Sequence, residues 1–466
     1  MQVRAFDNWI RTPLLLMAIV EAAILYSSLY VAGIFVYGSI AECEIIMGSV
    51  AFRSSLLTAL TLIALIAMGL YQFHQRFYYR EAVLRVFVGL IAAFVAAAAI
   101  FYTFPAAAID RDLANVAFGY SLFLLLGVRF FFVRTVDKNV FRRRTLIYGA
   151  GERAGSLMDF RRKADRRGFK IVGRVAAPGD SIIGDRSEVL LTDGQSIADI
   201  AITKNADEIV IAMDERRGNL PVKELLDARL KGIQVVDLLE FMERESGKIR
   251  IDLVNPGWLI FSPGFRVSRL RQFSQRAVDL IVSSTMIFFS WPIMLLVAAC
   301  IKLEDGIRAP VLYRQCRVGR GGVPLEVLKF RSMSVDAEAD GKAVWATKND
   351  SRVTKVGNFL RNSRLDELPQ VLNVVRGQMS LVGPRPERPE FVNELQESIP
   401  YYAERHAVKP GVTGWAQLKY SYGASEEDAI EKLQYDLYYI KNQSLMLDLL
   451  IILQTVEVVL WGKGAR

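Results

Sequence analysis

The sequence predicts a multidomain membrane protein. A four-helix transmembrane bundle is expected over 1–141, and a Rossmann-like α/β cytoplasmic domain over 142–262. An α-rich monotopic domain over 263–466 carries a re-entrant membrane helix at 277–301. Three observations lead there. The chain has 466 residues, room for about three domains of roughly 150 residues each. Apolar residues make up 52% and mean hydropathy is +0.24, high for a soluble chain of this length. Its long apolar runs are separated by boundaries whose charge changes sign.

Runs long enough to cross a bilayer, about 20 residues, lie at 13–37, 49–71, 83–104 and 113–133. The first follows Arg4 and Arg11 and lacks a small-residue exit, so it reads as an anchor and not as a cleaved leader. Glu21 is a cost inside it, met by solvent or by a partner on another helix. The loop with Arg76, Arg80 and Arg85 is basic and expected in the cytoplasm. The stretch with Glu42 and Glu44, and Asp110-Arg-Asp112, fit the outside. Arg134, Lys138 and Arg142-Arg-Arg144 return the chain to the cytoplasm. Asp110-Arg-Asp112 resembles a metal-binding Asp-x-Asp, but an outside loop is far from cytoplasmic nucleotide sugars.

Thr145-Leu-Ile-Tyr-Gly-Ala-Gly-Glu-Arg-Ala-Gly155 reads as strand, glycine turn and helix start. Gly149, Gly151 and Gly155 are spaced one residue longer than a dinucleotide fingerprint. Strands are expected at 208–213 and 232–237, with a helix at 225–231. Two readings stay open: a nucleotide-binding or sensing domain, and an α/β fold kept for scaffolding or oligomerisation. A reductase, epimerase or dehydratase would also need Tyr-x-x-x-Lys, and none of the seventeen tyrosines has lysine four residues later.

The run 277–301 is long enough to span. Arg266, Arg269, Arg271 and Arg276 precede it, and Lys302, Arg308, Arg314, Arg317 and Arg320 follow. Basic flanks on both sides place both ends in the cytoplasm. Pro292 removes a backbone donor past the middle, and Ser290 can answer a freed carbonyl. The expected shape is a helix that enters one leaflet, bends at Ser290-Trp-Pro292 and returns. A plain fifth span would put everything downstream outside.

Net charge is +9, which points to anionic headgroups and phosphorylated substrates before nucleic acid. Part of it is the ordinary positive-inside bias. Cys43, Cys300 and Cys316 form no paired spacing, and His74 and His406 are the only histidines. A zinc site or a Ser-His triad is therefore disfavoured, and carboxylates are left to do the chemistry. Asp366 and Glu367 are adjacent within Arg361-Asn-Ser-Arg-Leu-Asp-Glu-Leu-Pro-Gln370, among arginines and just before Gly383-Pro-Arg-Pro386. Such a pair among cations suits a phosphate ester handled with a divalent metal. The run 445–461 reads equally as an interfacial amphipathic helix or a buried core helix.

Six stretches occur in order: Tyr313-Arg-Gln-Cys-Arg-Val-Gly319, Leu328-Lys-Phe-Arg-Ser-Met333, Leu365-Asp-Glu-Leu-Pro-Gln-Val-Leu-Asn373, Ser380-Leu-Val-Gly-Pro-Arg-Pro-Glu387, Lys409-Pro-Gly-Val-Thr-Gly-Trp-Ala-Gln417 and Asp436-Leu-Tyr-Tyr-Ile-Lys-Asn-Gln-Ser444. Together they closely resemble the bacterial polyprenyl-phosphate sugar-1-phosphate transferases, the monotopic phosphoglycosyl transferases, over about 265–466. The four spans plus α/β domain resemble the long form, which primes exopolysaccharide, capsule or O-antigen synthesis. One departure is Trp291, where the simplest members carry Ser before the proline. The resemblance implies transfer of a sugar-1-phosphate from a UDP-sugar to undecaprenyl phosphate with release of UMP, at the cytoplasmic face of a bacterial inner membrane. Glucose is the first expectation for the sugar and galactose the second. It implies Asp366 as nucleophile, forming an aspartyl phospho-sugar, and Glu367 as a ligand of Mg²⁺. Lys329, Arg331 and Arg361 become candidates for phosphate contacts, and Pro384, Arg385 and Pro386 for the uridine-binding turn. Asp436 is expected to assist the metal or the site's network. Membrane lipids are expected partners, and a homo-oligomer is left open.

Overall fold

The computed structural model describes residues 2–5, 8–68, 70–71, 79–105, 108–136, 142–157, 168–183, 189–190, 194–216, 218–254, 256–262, 264–265, 268–334, 352–420, 423 and 425–460. Arg76, Lys138 and Arg266 lie outside them. The chain divides into two compact units, one of residues 1–5 and 9–247, the other of 6–8 and 248–466. That division falls earlier than the expected 262, because Ile249, Ile251, Val254 and Trp258 pack into the core of the second unit.

The first unit begins with two short strands, β1 (Gln2–Ala5) and β2 (Asn8–Arg11). Helices α1 (Thr12–Tyr37), α2 (Ile40–Met47), α3 (Val50–Ala67), α4 (Tyr79–Thr103) and α5 (Arg111–Val136) follow. All but α2 are long and apolar enough to cross a membrane. α1 packs on α3 and α5, and α4 on the same two. Ala32, Ala97 and Ala117 are buried there beside Leu29 and Leu57, and small residues of this kind let apolar helices approach closely. Glu21 is fully buried and helix-paired: Arg129 Nε lies 2.6 Å from Oε1 and Nη2 donates to Oε2 at 2.9 Å. The Tyr71 hydroxyl donates to the same carboxylate. Two opposite charges that satisfy each other make the apolar surroundings tolerable.

The α/β part of this unit has β3 (Arg143–Tyr148), α6 (Glu152–Gly155), β4 (Phe169–Val175), β5 (Val189–Leu190), α7 (Ile197–Thr203), β6 (Glu208–Ile211), α8 (Val222–Leu230), β7 (Gln234–Asp237) and α9 (Leu238–Ser246). The sheet order is β5-β4-β3-β6-β7 and every pairing is parallel. The chain thus builds outward on one side of β3, then crosses to the other, leaving a switch point between the ends of β3 and β6. Gly149 sits there at φ 134°, and a Cβ on it would collide with the backbone of Ala212.

The second unit contains α10 (Pro256–Phe261), α11 (Arg269–Asp305) and the antiparallel pair β8 (Leu312–Val318) and β9 (Pro324–Phe330). Then come α12 (Lys355–Ser363), a 3₁₀ turn at Leu365–Glu367, α13 (Gln370–Val375), β10 (Ser380–Val382) and α14 (Pro389–Ser398). A 3₁₀ stretch at Tyr402–Ala407, β11 (Gly411–Thr413), α15 (Trp415–Lys419), α16 (Glu426–Lys441) and α17 (Leu445–Leu460) complete it. Val327, Val374, Met379, Leu437, Tyr439 and Ile451 form its centre. On α17, Leu447, Asp448 and Ile451 are buried while Leu445, Leu449 and Val456 are exposed, so one face packs on the core and the other is left apolar and open.

The expected break at Ser290-Trp-Pro292 is corrected in one respect. α11 runs unbroken for 37 residues through Pro292, beyond both ends of the expected 277–301. A proline removes one donor and clashes with one carbonyl, which bends a helix more readily than it ends one. Ser290 Oγ lies 3.8 Å from Met294 Sδ and does not answer a carbonyl. The middle of α11 is apolar and exposed at Phe288, Phe289, Trp291, Leu295 and Leu296.

Candidate functional site

The segment that carries Asp366 and Glu367 is tied to residues near both ends of α11. Near the start of that helix, Arg276 donates to the carbonyls of Val374 and Val375 at 2.6 and 2.7 Å, closing the C-terminal end of α13. Near its finish, the Glu304 carboxylate accepts the backbone N–H groups of Lys355 and Val356, both at 2.9 Å, closing the N-terminal end of α12. Each charge has the sign that its helix end favours. The segment from α12 to α13 is therefore fixed at both ends by one apolar helix, with the pair in between.

Arg364 reverses the chain into the pair. It ends α12 in the left-handed conformation, φ 56°, and the 3₁₀ turn starts from it. Asn373, fully buried, ties α13 to β9: its Oδ1 accepts Leu328 N–H at 3.0 Å and its Nδ2 donates to the Glu326 carbonyl at 2.7 Å. That register brings Lys329 of β9 to Glu367, Nζ to Oε1 at 3.5 Å.

Arg385 arrives from the loop after β10. Gly383 crosses β11 backbone to backbone; a Cβ on Gly383 would collide with the Lys409 carbonyl, and one on Gly414 with the Gly383 carbonyl. These contacts explain the glycines of both motifs. Pro384 and Pro386 are buried and Arg385 projects between them, its Nη2 donating to Glu367 Oε1 at 2.6 Å. Both cations share Oε1, leaving Oε2 outside these contacts.

The two carboxylates are set apart electrostatically. Burial pushes the Asp366 carboxyl above the usual range and the neighbouring Glu367 adds to this, with Lys329, Arg361 and Arg385 opposing. Burial would raise Glu367 as well, but Arg385 and Lys329 outweigh it and hold that carboxyl well below the usual range. Burial also lowers the Lys329 ammonium, against the pull of Glu367. Adjacent carboxyls with separated environments suit different tasks.

Of the other expected residues, Arg361 lies in the last turn of α12 and acts on Asp366 by charge, with Nη2 3.9 Å from Met333 Sδ. Arg331 follows β9, and its Nη1 is buried without a hydrogen-bond partner. Asp436 lies on α16, fully buried, and its partner is Arg405, Nη2 to Oδ2 at 2.9 Å. Burial pushes the Asp436 carboxyl up to about 6, with Arg405 opposing. Sequence reasoning passed over Arg317, Arg364, Asn373 and Arg405. The first three lie inside or beside quoted motifs; Arg405 carried no signal except its place next to His406.

Among the described residues, no group of three or more His, Cys, Asp or Glu could hold a metal. Asp366 and Glu367 still fit Mg²⁺, which is commonly bound by one or two carboxylates together with substrate phosphates.

The α/β glycine turn looks different. Asp214 accepts the N–H groups of Glu152 and Arg153 at 3.0 and 2.9 Å, and Asp180 accepts that of Ala150 at 2.8 Å. Asp180 also takes Asp214 N–H at 3.1 Å.

Residues 270–462 match the bacterial sugar transferase family. A UDP-N-acetylgalactosamine-undecaprenyl-phosphate N-acetylgalactosaminephosphotransferase of Aeromonas hydrophila is 41% identical over 240 residues, 51% of this chain and 55% of that protein, so it is matched over little more than half its length. A UDP-glucose:undecaprenyl-phosphate glucose-1-phosphate transferase of Klebsiella pneumoniae is 38% identical over 333 residues, 70% of this chain and 69% of the relative. The exopolysaccharide production protein PSS of Rhizobium leguminosarum bv. phaseoli is 39% identical over 196 residues, 41% of this chain and 97% of the relative. With a carboxylate pair on a 3₁₀ turn among arginines and a lysine, and likeness of this extent to transferases of this kind, the chain belongs to the bacterial sugar transferase family.

Proposed function

We propose that this chain transfers a sugar-1-phosphate from a UDP-sugar to undecaprenyl phosphate, releasing UMP, as the initiating step of an exopolysaccharide, capsule or O-antigen. The observation that carries this is the pair Asp366–Glu367, surrounded by Lys329, Arg361, Arg364 and Arg385 on a segment tied near both ends of α11. Two anionic substrates meet in such a reaction, and fixed cations offset their charge without reorganising.

An Asp366 carboxylate oxygen attacks the phosphorus that bears the sugar. The bond from that phosphorus to the bridging oxygen breaks, and UMP leaves with the oxygen. An oxygen of undecaprenyl phosphate then attacks the same phosphorus and Asp366 is released as a carboxylate. One phosphoanhydride is lost and one gained, so no further energy source is needed. The covalent stage lets a soluble and a lipid substrate use one site in turn. Glu367, through the oxygen its cations leave outside their contacts, would hold Mg²⁺, which when bound offsets the diphosphate charge. Arg385 holds the uridine side and Lys329 and Arg361 the phosphates.

The four N-terminal apolar helices are read as a four-helix transmembrane bundle, and the parallel sheet as a Rossmann-like scaffold. α11 is read as re-entrant, supported by the docking of both its arms on one unit and the basic residues at both its ends. The catalytic unit then faces the cytoplasm at the bacterial inner membrane. Glucose remains the first choice of sugar and galactose the second; the relatives' names add N-acetylgalactosamine.

The purified protein, in detergent with Mg²⁺ and undecaprenyl phosphate, is to be offered UDP-glucose, UDP-galactose and UDP-N-acetylgalactosamine. UMP release with one of them is expected. No UMP from any of these sugars, nor from a wider panel, would sink the proposal.

A further inference from the structure

We propose that Arg405, braced by Asp436, is a positioning residue that fixes the turn carrying Arg385; the role rests on the transferase reading above. The turn Pro384-Arg-Pro386 has little means of fastening itself, because its two prolines have no N–H. Its three carbonyls are instead each gripped from elsewhere. Pro384 O accepts Gly411 N–H at 2.9 Å, Arg385 O accepts Arg405 Nη2 at 3.0 Å, and Pro386 O accepts Arg317 Nη1 at 3.2 Å. The middle grip bears on the residue whose side chain reaches Glu367.

Arg405 is itself held hard. Its side chain is 6% exposed. Nη1 donates to the Tyr402 hydroxyl at 2.7 Å, Nη2 also donates to Asp436, and the guanidinium lies over the Tyr402 ring. Burying an ion pair rarely stabilises more than apolar side chains of similar volume would. Stability is thus a weak reason for this pair. Geometry is a better one: a planar fork reaches a hydroxyl, a carboxylate and a carbonyl together, which a lysine cannot do.

The test removes both members of the pair, so that no buried charge is left alone. The Arg405→Met, Asp436→Leu double variant should keep a thermal midpoint near that of the parent. Its KM for the UDP-sugar should rise about 10-fold to 100-fold, the scale of losing a hydrogen bond to a charged group, while KM for undecaprenyl phosphate stays unchanged. An unchanged KM for the UDP-sugar, or an equal rise for both substrates, overturns the proposal. Should the double variant not fold, Arg405→Lys combined with Arg385→Ala decides. If Arg405 acts through Arg385, Arg405→Lys adds no loss in the Arg385→Ala background; additive losses overturn it. Amide hydrogen exchange in 383–387 separates this role from the reaction. Faster exchange in the Arg405 variants, with no UMP from the parent, supports the brace while the transferase reading fails. Unchanged exchange overturns the brace whatever the kinetics.

Discussion

At the glycine turn after β3, three of the backbone donors that could hold a phosphate are already taken. Asp214 and Asp180 receive the N–H groups of Ala150, Glu152 and Arg153, and a Cβ on Gly151 would run into the Asp214 carboxylate. At the turn carrying Asp366 and Glu367 the imbalance runs the other way. Lys329, Arg361, Arg364 and Arg385 act on two carboxylates, and only Glu367 is directly paired. The first turn supplies its own anion and needs none from outside. The second sets four cations around two carboxylates, an arrangement that suits a diphosphate. Both turns carry a motif, and on the function proposed above that difference separates a scaffold from a site.

The sharpest test of the second turn is Asp366→Asn. It should lower UMP release roughly 10⁴-fold or more, the scale for losing a nucleophile, and abolish the covalent adduct seen by intact mass. Retained activity would remove the basis of the comparison. Glu367→Gln should cost less, on the order of 100-fold to 1,000-fold, as the several kcal/mol of a metal's charge are lost. It should also weaken Mn²⁺ uptake in the presence of UDP, read by paramagnetic resonance; equal uptake by the parent and the variant would move the metal elsewhere.

The filled turn predicts a stability effect instead. Asp214→Ala removes two hydrogen bonds to a charged acceptor and should destabilise the first unit by about 1–3 kcal/mol, seen in denaturant unfolding, with UMP release hardly changed. NADH should not bind the parent protein, and fluorescence titration showing that it binds at this turn would break the comparison.

The smallest expected effect lies beside Arg405. Burial and the Arg405 charge push His406 down to about 4. Its folded pKa is below the unfolded value near 6.5, so the unfolded chain takes up the proton first. Stability is then lost as pH falls from about 6.5 to about 4. Because the ring is partly exposed, the difference between the parent and His406→Asn should reach only about 1–2 kcal/mol across that window. Asp436, pushed up to about 6, contributes with the opposite sign and cancels in that difference. A flat difference curve would show that His406 is not held neutral.

Much of the site was legible because its signals are local. Asp366, Glu367, Lys329, Arg361 and Arg385 sit in short motifs, and the three cations meet around the carboxylate pair by charge or contact. Arg405 and Asp436 were not legible as a unit, since 31 residues separate them and only the packing of α16 joins them. The break at Pro292 was overstated for a related reason: a proline reports one missing donor, whereas the neighbouring turns decide whether a helix ends.

Without any fold, the chain already declares its membrane segments, its carboxylate pair and its poverty in histidine. Hydropathy, charge and residue chemistry belong to each residue and add along the chain. Which glycine turn is filled, which carboxylate is pinned and which arginine braces another depend on distances between residues far apart in sequence. Those distances belong to the packed molecule, where a few ångströms separate a satisfied aspartate from one left among cations.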